Sequence, residues 1–378
     1  MGNVAKRPDG RYRARYRDPS GLEHARHFDK KRDADRWLTS IGADLDRGEY
    51  VDPRGGRTLF AERYQFWFAT TVNLRESTRA RDDSYGRNLI LPTFEHRKLS
   101  SIDHDSIQRW MAELGREGYA PATVVKAHQI LSKVLRSAVR ARLIPTNPCA
   151  DSELPKIERN EQRFLSAEEV AQLAETINPH YRVMVLVAAY SGLRLGELAG
   201  LRRRRVDLEG GNIDVAEICI HVRGRTSFGP PKTKASRRRV PIPDYVVEEL
   251  AEHVAGMKAD DLAFTSLDGR SPIRSSNFHR RIWQPACVEA GFGEMVDNDT
   301  KTGRGYVGLR PHDLRHTAVA LWIAGGASPK EIAARAGHTS VSTVLDRYGH
   351  LGSGSEKALN DALDKMARRA ARLKMAQF

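Results

Sequence analysis

The side chains most able to do chemistry lie in short stretches of the C-terminal half. Arg194 sits in "YSGLRLGELAGL", Lys232 and Lys234 in "GPPKTKASRRRVPIP", and His312 and Arg315 in "LRPHDLRH". His338 sits in "RAGH", and Tyr348 follows it by ten residues in "LDRYGH". Two arginines, a lysine, two histidines and a tyrosine are the parts needed to break a phosphodiester. An arginine offers a planar fork of donors that fits two phosphate oxygens and neutralises the charge of a phosphoryl transition state. A tyrosine can attack phosphorus and form a covalent ester, but its ordinary pKa of about 10 calls for a proton acceptor and positive neighbours. A lysine can protonate the leaving hydroxyl. A phosphotyrosine keeps the bond energy of the phosphodiester, so strands can be rejoined without a nucleotide. The chain has no Gly-Lys pair and therefore no Walker A loop, and no cofactor is expected.

Each residue also has a bland reading. Arg194 can cap a helix and pair with Glu197. Lys232, Lys234 and the Arg237–Arg239 run can be a solvated basic hairpin. Val341, Val344, Leu345 and Tyr348 fall at helical spacing, one apolar stripe, so Tyr348 can be core. His312-Asp313-Leu314-Arg315-His316 is one methylene short of the HExxH zinc motif, which keeps a zinc hydrolase as a rival. The set taken together, in this order, favours phosphodiester chemistry. Tyr348 is then expected to be placed by its helix and not buried by it.

The elements that position these residues can be read from pattern. A helix ends at Ser191-Gly192, and Arg194 sits at the break before the next helix near Gly196. Pro311 is expected as a first helical residue, which puts His312 and Arg315 on one face of a first turn. Ser328, Pro329 and Glu331 make a capping box, Gly337 stops that helix, and a new one starts near Thr339 or Ser340. "NIDVAEICIHV" and "RRRVPIP" read as strands with a loop between. Upstream, "FLSAEEVAQLAETI" has a capping box of Ser166 and Glu169. Helices are expected near 59–72, 75–89, 106–117 and 122–142, and Pro145, Pro148 and Pro155 mark a linker. In the last of these helices Lys126, Lys133, Arg136 and Arg140 form a basic side suited to tracking phosphates. At the N-terminus "GRYRARYRD" alternates as a half-buried strand. Tyr12, Ala14 and Tyr16 face one way, and Arg11, Arg13, Arg15 and Arg17 the other. "HARHF" is a second strand, and a helix follows from Lys31. Four arginines on one strand face repel one another without an anion, so this sheet is expected to lie on DNA.

Bulk properties agree. The chain has 378 residues, 40% hydrophobic, with a formal net charge of +14. That length supports two or three cored domains. The charge suggests a polyanion partner, nucleic acid before membrane surface. Cys149, Cys219 and Cys287 are far apart and form no CxxC pair, which fits a reducing cytosol. The longest apolar run, Val183 to Tyr190, is far below the roughly 20 residues that span a bilayer. "MGNVAKRPDG" lacks the apolar core of a signal peptide and the Ser or Thr of a myristoylation site.

At the level of these motifs the chain resembles the tyrosine recombinases, also called the phage integrase family. The family signature stands here as Arg194 in "SGLRLGEL", Lys232 in "PPKTKASRR", His312 and Arg315 in "HDLRH", His338 in "AGH" and Tyr348 in "LDRYGH". Alanine precedes Gly-His where leucine is common, and Lys234 neighbours Lys232 with the same chemistry. The resemblance implies a multidomain α+β chain. A small sheet-plus-helix arm-binding domain would occupy 1–55, a helical core-binding domain 57–155, and a mixed, mainly helical catalytic domain with a small antiparallel sheet 160–378. It implies that the arginines and His338 bind the scissile phosphate, His312 assists proton transfer, the lysine is the general acid and Tyr348 forms a 3′-phosphotyrosine link. It implies double-stranded DNA attachment sites, a Holliday junction and a homotetramer, with room for an excisionase and a DNA-bending accessory protein. A final helix with Leu359, Leu363, Met366 and Leu373 on one stripe would dock on a neighbouring protomer or on its own domain. A dimer-resolving recombinase and a non-catalytic DNA-binding protein are the alternatives.

Overall fold

Alternation builds the first element as the sequence leads one to expect. In the computed structural model, β2 (Tyr12–Arg17) is the middle strand of an antiparallel sheet, between β1 (Asn3–Lys6) and β3 (Glu23–Phe28). Ala14 and Tyr16 are buried, and α1 (Lys31–Asp46) covers that face. The strand β1 is one that the sequence reading lacked: "NVAK" is too short and polar to show a period. The structure describes residues 2–48, 50–157, 163–231, 233–296, 305–338 and 340–349, and the backbone alone of Lys234, Thr343 and Arg347. Lys232 and the C-terminal tail stripe lie outside these residues, as does the side chain of Lys234.

The described residues fall into two compact units, 1–159 and 160–378. The first contains the sheet and then a helical bundle. Its helices are α2 (Phe60–Thr70), α3 (Glu76–Tyr85), α4 (Leu91–Phe94), α5 (His104–Arg116) and α6 (Pro121–Arg140). A π-turn over Gly86–Ile90 joins α3 to α4. α5 starts from an Asp103 capping box, and Pro121 opens α6. Val124, Ala127, Ile130, Leu131, Val134, Leu135 and Ala138 bury one stripe of α6 against Phe60, Phe94 and Trp110. Lys133, Arg136 and Arg140 stay exposed on another side, and Lys126 is half-buried.

The second unit is built round α8 (Arg182–Ser191), whose residues Val183 to Ala189 are all buried. A helix apolar on every side belongs at the centre of a core. Before it comes α7 (Ala167–Thr176), capped by Ser166 and Glu169, and after it the short α9 (Leu195–Leu198). The expected strand "NIDVAEICIHV" divides in two. β5 (Asn212–Val215) pairs with β4 (Val206–Asp207) and with β8 (Arg238–Pro241). β6 (Ile218–Val222) pairs instead with β7 (Arg225–Gly229). The lysine-bearing segment therefore connects two sheets, β7 to β8, where a single hairpin was expected. Then follow α10 (Asp244–His253), α11 (Ser275–Phe278), α12 (Gln284–Glu289), and the pair β9 (Gly293–Val296) and β10 (Gly305–Gly308). The chain continues through α13 (Asp313–Ala324), α14 (Pro329–Ala336) and α15 (Ser342–Tyr348). Pro311 is not the first helical residue: His312 is the N-cap of α13, because Asp313 accepts from the Arg310 N–H and holds a turn there (2.7 Å). Among the described residues, no helix is long and apolar enough to cross a membrane.

Candidate active site

Two helix breaks fix the site. α8 ends at Gly192 in the left-handed conformation (φ 63°), where a Cβ would lie 2.9 Å from the Trp322 ring. Glycine meets both demands. The turn delivers Arg194 to the N-cap of α9. There its backbone N–H donates to Glu197 Oε2 (2.9 Å) and its Nη1 to Glu197 Oε1 (2.8 Å). α14 likewise ends at left-handed Gly337 (φ 63°), and His338 follows, half-buried.

Arg315 stands in the first turn of α13 and is 3% exposed. Its Nη1 donates to the Gly192 carbonyl (2.6 Å), and its Nη2 to the Ala336 carbonyl. One guanidinium thus ties the break before Arg194 to the break before His338. Arg238 makes a second tie. It hydrogen-bonds Glu197 with both terminal nitrogens and donates from Nε to the Arg335 carbonyl (2.6 Å). The sequence left the Arg237–Arg239 run as one basic stretch lining a hairpin with the lysines. Only Arg237 and Arg239 are exposed, and Arg238 points inward, as strand alternation requires.

Arg194 and Arg238 thus both bind the Glu197 carboxylate, and Arg315 lies within electrostatic reach of all three. Burial, then repulsion from Arg194 and Arg238, pushes Arg315 down from 12.5 to about 9. Burial opposes ionisation of Glu197, but the hydrogen bond and charge of Arg238, and then Arg194, hold its carboxyl below the ordinary value. The cluster carries excess positive charge in a low-dielectric setting, which a phosphate would relieve.

Tyr348 completes the site in an unexpected way. It is 2% exposed, so the expectation that its helix would leave it unburied is overturned. Val344 and Tyr348 pack with Ala318, Trp322, Ile332 and Ala336, with Phe164 beside the ring (6.1 Å between centroids). Of the expected stripe, Val344 and Tyr348 face inward, whereas Val341 and Leu345 are exposed. A buried phenol needs a polar partner, and the hydroxyl is hydrogen-bonded to Nδ1 of His316. The His312 and His316 rings meet edge to face, 5.1 Å apart. The two histidines of the zinc-like motif thus face each other, and His316 also meets the tyrosine. Among the described residues, the only cluster of three with ligand spacing is Asp18, His24 and Asp52, far along the sequence from that motif.

The arm and stripe residues are placed as follows. Arg11, Arg13 and Arg15 already have acidic neighbours: Asp29 for Arg11 (3.4 Å), and Glu23 for Arg13 (3.5 Å) and Arg15 (3.9 Å). Arg17 donates to the Gly21 carbonyl (2.9 Å). These acidic neighbours relieve the repulsion expected along the strand. Lys133 lies 3.9 Å from the buried carboxylate of Asp82. Lys234 opens a single helical turn before β8. Sequence reasoning missed Arg238 and His316, and saw Glu197 only as a partner of Arg194. The signals were present: Glu197 three residues after Arg194, His316 four after His312, and the alternation of the arginine run.

Fold and site together define a tyrosine-type site-specific recombinase of a mobile element. The Phage integrase family profile matches residues 163–353, the phage integrase N-terminal domain profile residues 1–47, and the N-terminal SAM-like domain profile residues 59–115. The chain belongs to the phage integrase family. It is 26% identical over 378 residues to the putative prophage phiRv2 integrase of Mycobacterium tuberculosis H37Rv, covering 97% of this chain and 96% of that one. It is 29% identical over 283 residues to the ICEBs1 integrase of Bacillus subtilis 168, covering 71% and 72%. In fold it is similar to a Tn1549 transposon integrase variant in complex with a circular intermediate DNA (TM-score 0.68, 17% identity, 81% of this chain and 99% of that one). It is also similar to a lambda integrase tetramer bound to a Holliday junction (TM-score 0.53, 20% identity, 90% and 94%).

Proposed function

We propose that this chain integrates and excises a mobile element by cutting double-stranded DNA at attachment sites through a 3′-phosphotyrosine on Tyr348. Strand exchange would proceed through a Holliday junction in a homotetramer, in the cytoplasm. The observation that carries this reading is the buried basic cluster, with Arg194 and Arg238 on the Glu197 carboxylate and Arg315 tied to the two helix breaks beside them. Arg194, Arg315 and His338 bind the scissile phosphate, and His312 assists proton transfer. Lys232 protonates the leaving 5′-oxygen, with Lys234 as the alternative donor. Residues 57–155 grip the core site through Lys126, Lys133, Arg136 and Arg140. Residues 1–55 read a second, arm-type site. The match of residues 1–47 to an integrase N-terminal domain supports that assignment over a dimer-resolving recombinase.

The test uses DNA flanking the protein's own gene, nicked and labelled on the strand that would keep the 3′-phosphotyrosine. With EDTA present, wild type should give a denaturant-resistant protein–DNA band that Tyr348→Phe lacks. Binding without an adduct at any flanking site would replace this reading with a DNA-binding role.

A further inference from the structure

The imidazole seated on the Tyr348 hydroxyl belongs to His316, one residue beyond Arg315 on α13. We propose that His316 positions the phenol and takes its proton when Tyr348 attacks. This rests on the reading of Tyr348 as the nucleophile.

The attacking group in this reading is a phenol. At neutral pH it is protonated, and a protonated phenol is a poor nucleophile. A proton acceptor must be within hydrogen-bond reach of it. Nδ1 of His316 is, and His316 is itself buried, 5% exposed, so its ring has little freedom to turn away. It is held from three sides. Arg315 precedes it and is fixed on the carbonyls of Gly192 and Ala336. Thr317 follows and accepts from the Leu165 N–H (3.2 Å). The His312 ring abuts its face at 87°.

The neutral imidazole carries its hydrogen on Nε2, and the phenol donates to Nδ1. As the tyrosine oxygen bonds to phosphorus, its proton passes to Nδ1 and leaves an imidazolium. The bond from phosphorus to the 5′-oxygen breaks, and that oxygen takes a proton from the general acid. Rejoining runs in reverse: a 5′-hydroxyl attacks the phosphotyrosine, and Nδ1 returns its proton to the departing phenol. The geometry thus divides proton handling between the nucleophile, served by His316, and the leaving group, served by a separate acid.

The division can be measured with two suicide substrates, one with an ordinary 5′-bridging oxygen and one with sulfur at that position. A thiolate leaves without protonation, so the sulfur substrate erases defects on the leaving-group side only. His316→Asn keeps a polar atom near the position of Nδ1 but cannot take a proton. The full-length variant should bind DNA and melt close to wild type, yet cleave about a hundredfold more slowly or worse on both substrates. Cleavage at the wild-type rate would overturn the proposal and leave His316 a packing partner. So would rescue by the sulfur substrate, because the defect would then lie at the leaving group. Tyr348→Phe is run alongside: an adduct there would fail the nucleophile reading itself, a separate outcome. If His316→Asn does not fold, 15N-imidazole spectra of the wild-type chain decide. The ring whose signals move in Tyr348→Phe must have Nδ1 unprotonated, and a protonated Nδ1 would overturn the proposal.

Discussion

Arg238 and Glu197 meet as two forks: Nη1 lies 3.1 Å from Oε1 and Nη2 lies 3.0 Å from Oε2. Both side chains are buried, at 5% and 2% exposure. Arg238 is on β8 and Glu197 on α9, and the remaining donor of Arg238, Nε, holds the end of α14. Three segments that each carry a site residue are thus joined by one side chain. Breaking such a pair strands a buried charge, at a cost of about 3–5 kcal/mol. Arg238→Met and Glu197→Gln should each lose stability of that order in urea unfolding. The double variant Arg238→Met with Glu197→Gln should lose less than the sum, since the second substitution then strands no further charge of this pair. Because the folded carboxyl of Glu197 is held below its ordinary 4.5, its contribution is present above that pH and fades as acid protonates it. Single variants within 0.5 kcal/mol of wild type, the ordinary range of surface changes, would remove the strut from this account.

The arginine cluster should respond to anions in the absence of DNA. Arg315, pushed down to about 9, is a cation at neutral pH whose charge is poorly compensated. A bound dianion would restore it, and an anion present at a hundred times its Kd would add about 2.7 kcal/mol. Sulfate should therefore raise the Tm more than chloride at matched ionic strength. Arg194, whose side chain is 37% exposed, is the route by which the anion enters the cluster. Arg194→Ala should lose most of the sulfate increment while keeping the general salting effect. An equal increment in both proteins would place the anion elsewhere on this basic chain.

The legibility of this molecule in its sequence was uneven. Helix breaks were legible because Gly192 and Gly337 announce them, and capping boxes at Ser166 and Ser328 appear where expected. The strand between 212 and 222 was not. Its apolar pattern runs on through Ala216-Glu217 while its partners change from β8 to β7, and pairing is non-local information. The three arginines at 237–239 look alike as residues, and only the sheet decides which one faces in. Tyr348 shows the deeper limit. Helical spacing correctly put it on the apolar stripe with Val344, and motif spacing marked it as reactive. Neither could show that the phenol is both buried and met by a histidine from another helix.

Acid should unfold the N-terminal sheet through Asp18. Its carboxylate accepts from the Ser20 hydroxyl (2.5 Å), the Ser20 and Leu22 backbone N–H groups, and His24 (2.8 Å). These bonds, Ser20 first and then His24, hold it well below the ordinary carboxylate range. A depressed carboxyl stabilises the fold above its unfolded value of 3.8 and loses that contribution as pH falls through the folded one. The stacked Tyr16 and His24 rings and the Tyr16–Tyr50 hydrogen bond (2.9 Å) depend on the same corner. Near-ultraviolet signals of these tyrosines should therefore hold at neutral pH and collapse below about pH 4. In Asp18→Asn the signals should already be reduced at neutral pH and respond less to acid. An unchanged acid midpoint in that variant would show that other carboxylates govern the transition.

The basic residues predicted to meet DNA can be ranked by how much charge each has to give. Lys133, Arg136 and Arg140 are exposed on α6, and the Asp82 carboxylate lies a loose 3.9 Å from Lys133. Lys126 is half-buried, and burial, then Arg81 and Lys133, lowers its pKa. On the strand, Arg13 and Arg15 share Glu23. A residue that neutralises a phosphate releases counterions, and each such contact contributes about 0.9 to the slope of log K against log salt. Arg136→Ala and Arg140→Ala should each flatten that slope by about one on duplexes of any sequence. Arg13→Ala should flatten it less, because Glu23 must first be given up before a phosphate gains the charge. Measuring affinity across a salt series for each variant reads this directly. If Arg13→Ala flattens the slope as much as Arg140→Ala does, the pairing with Glu23 opens at no cost and the strand is as ready for DNA as the helix.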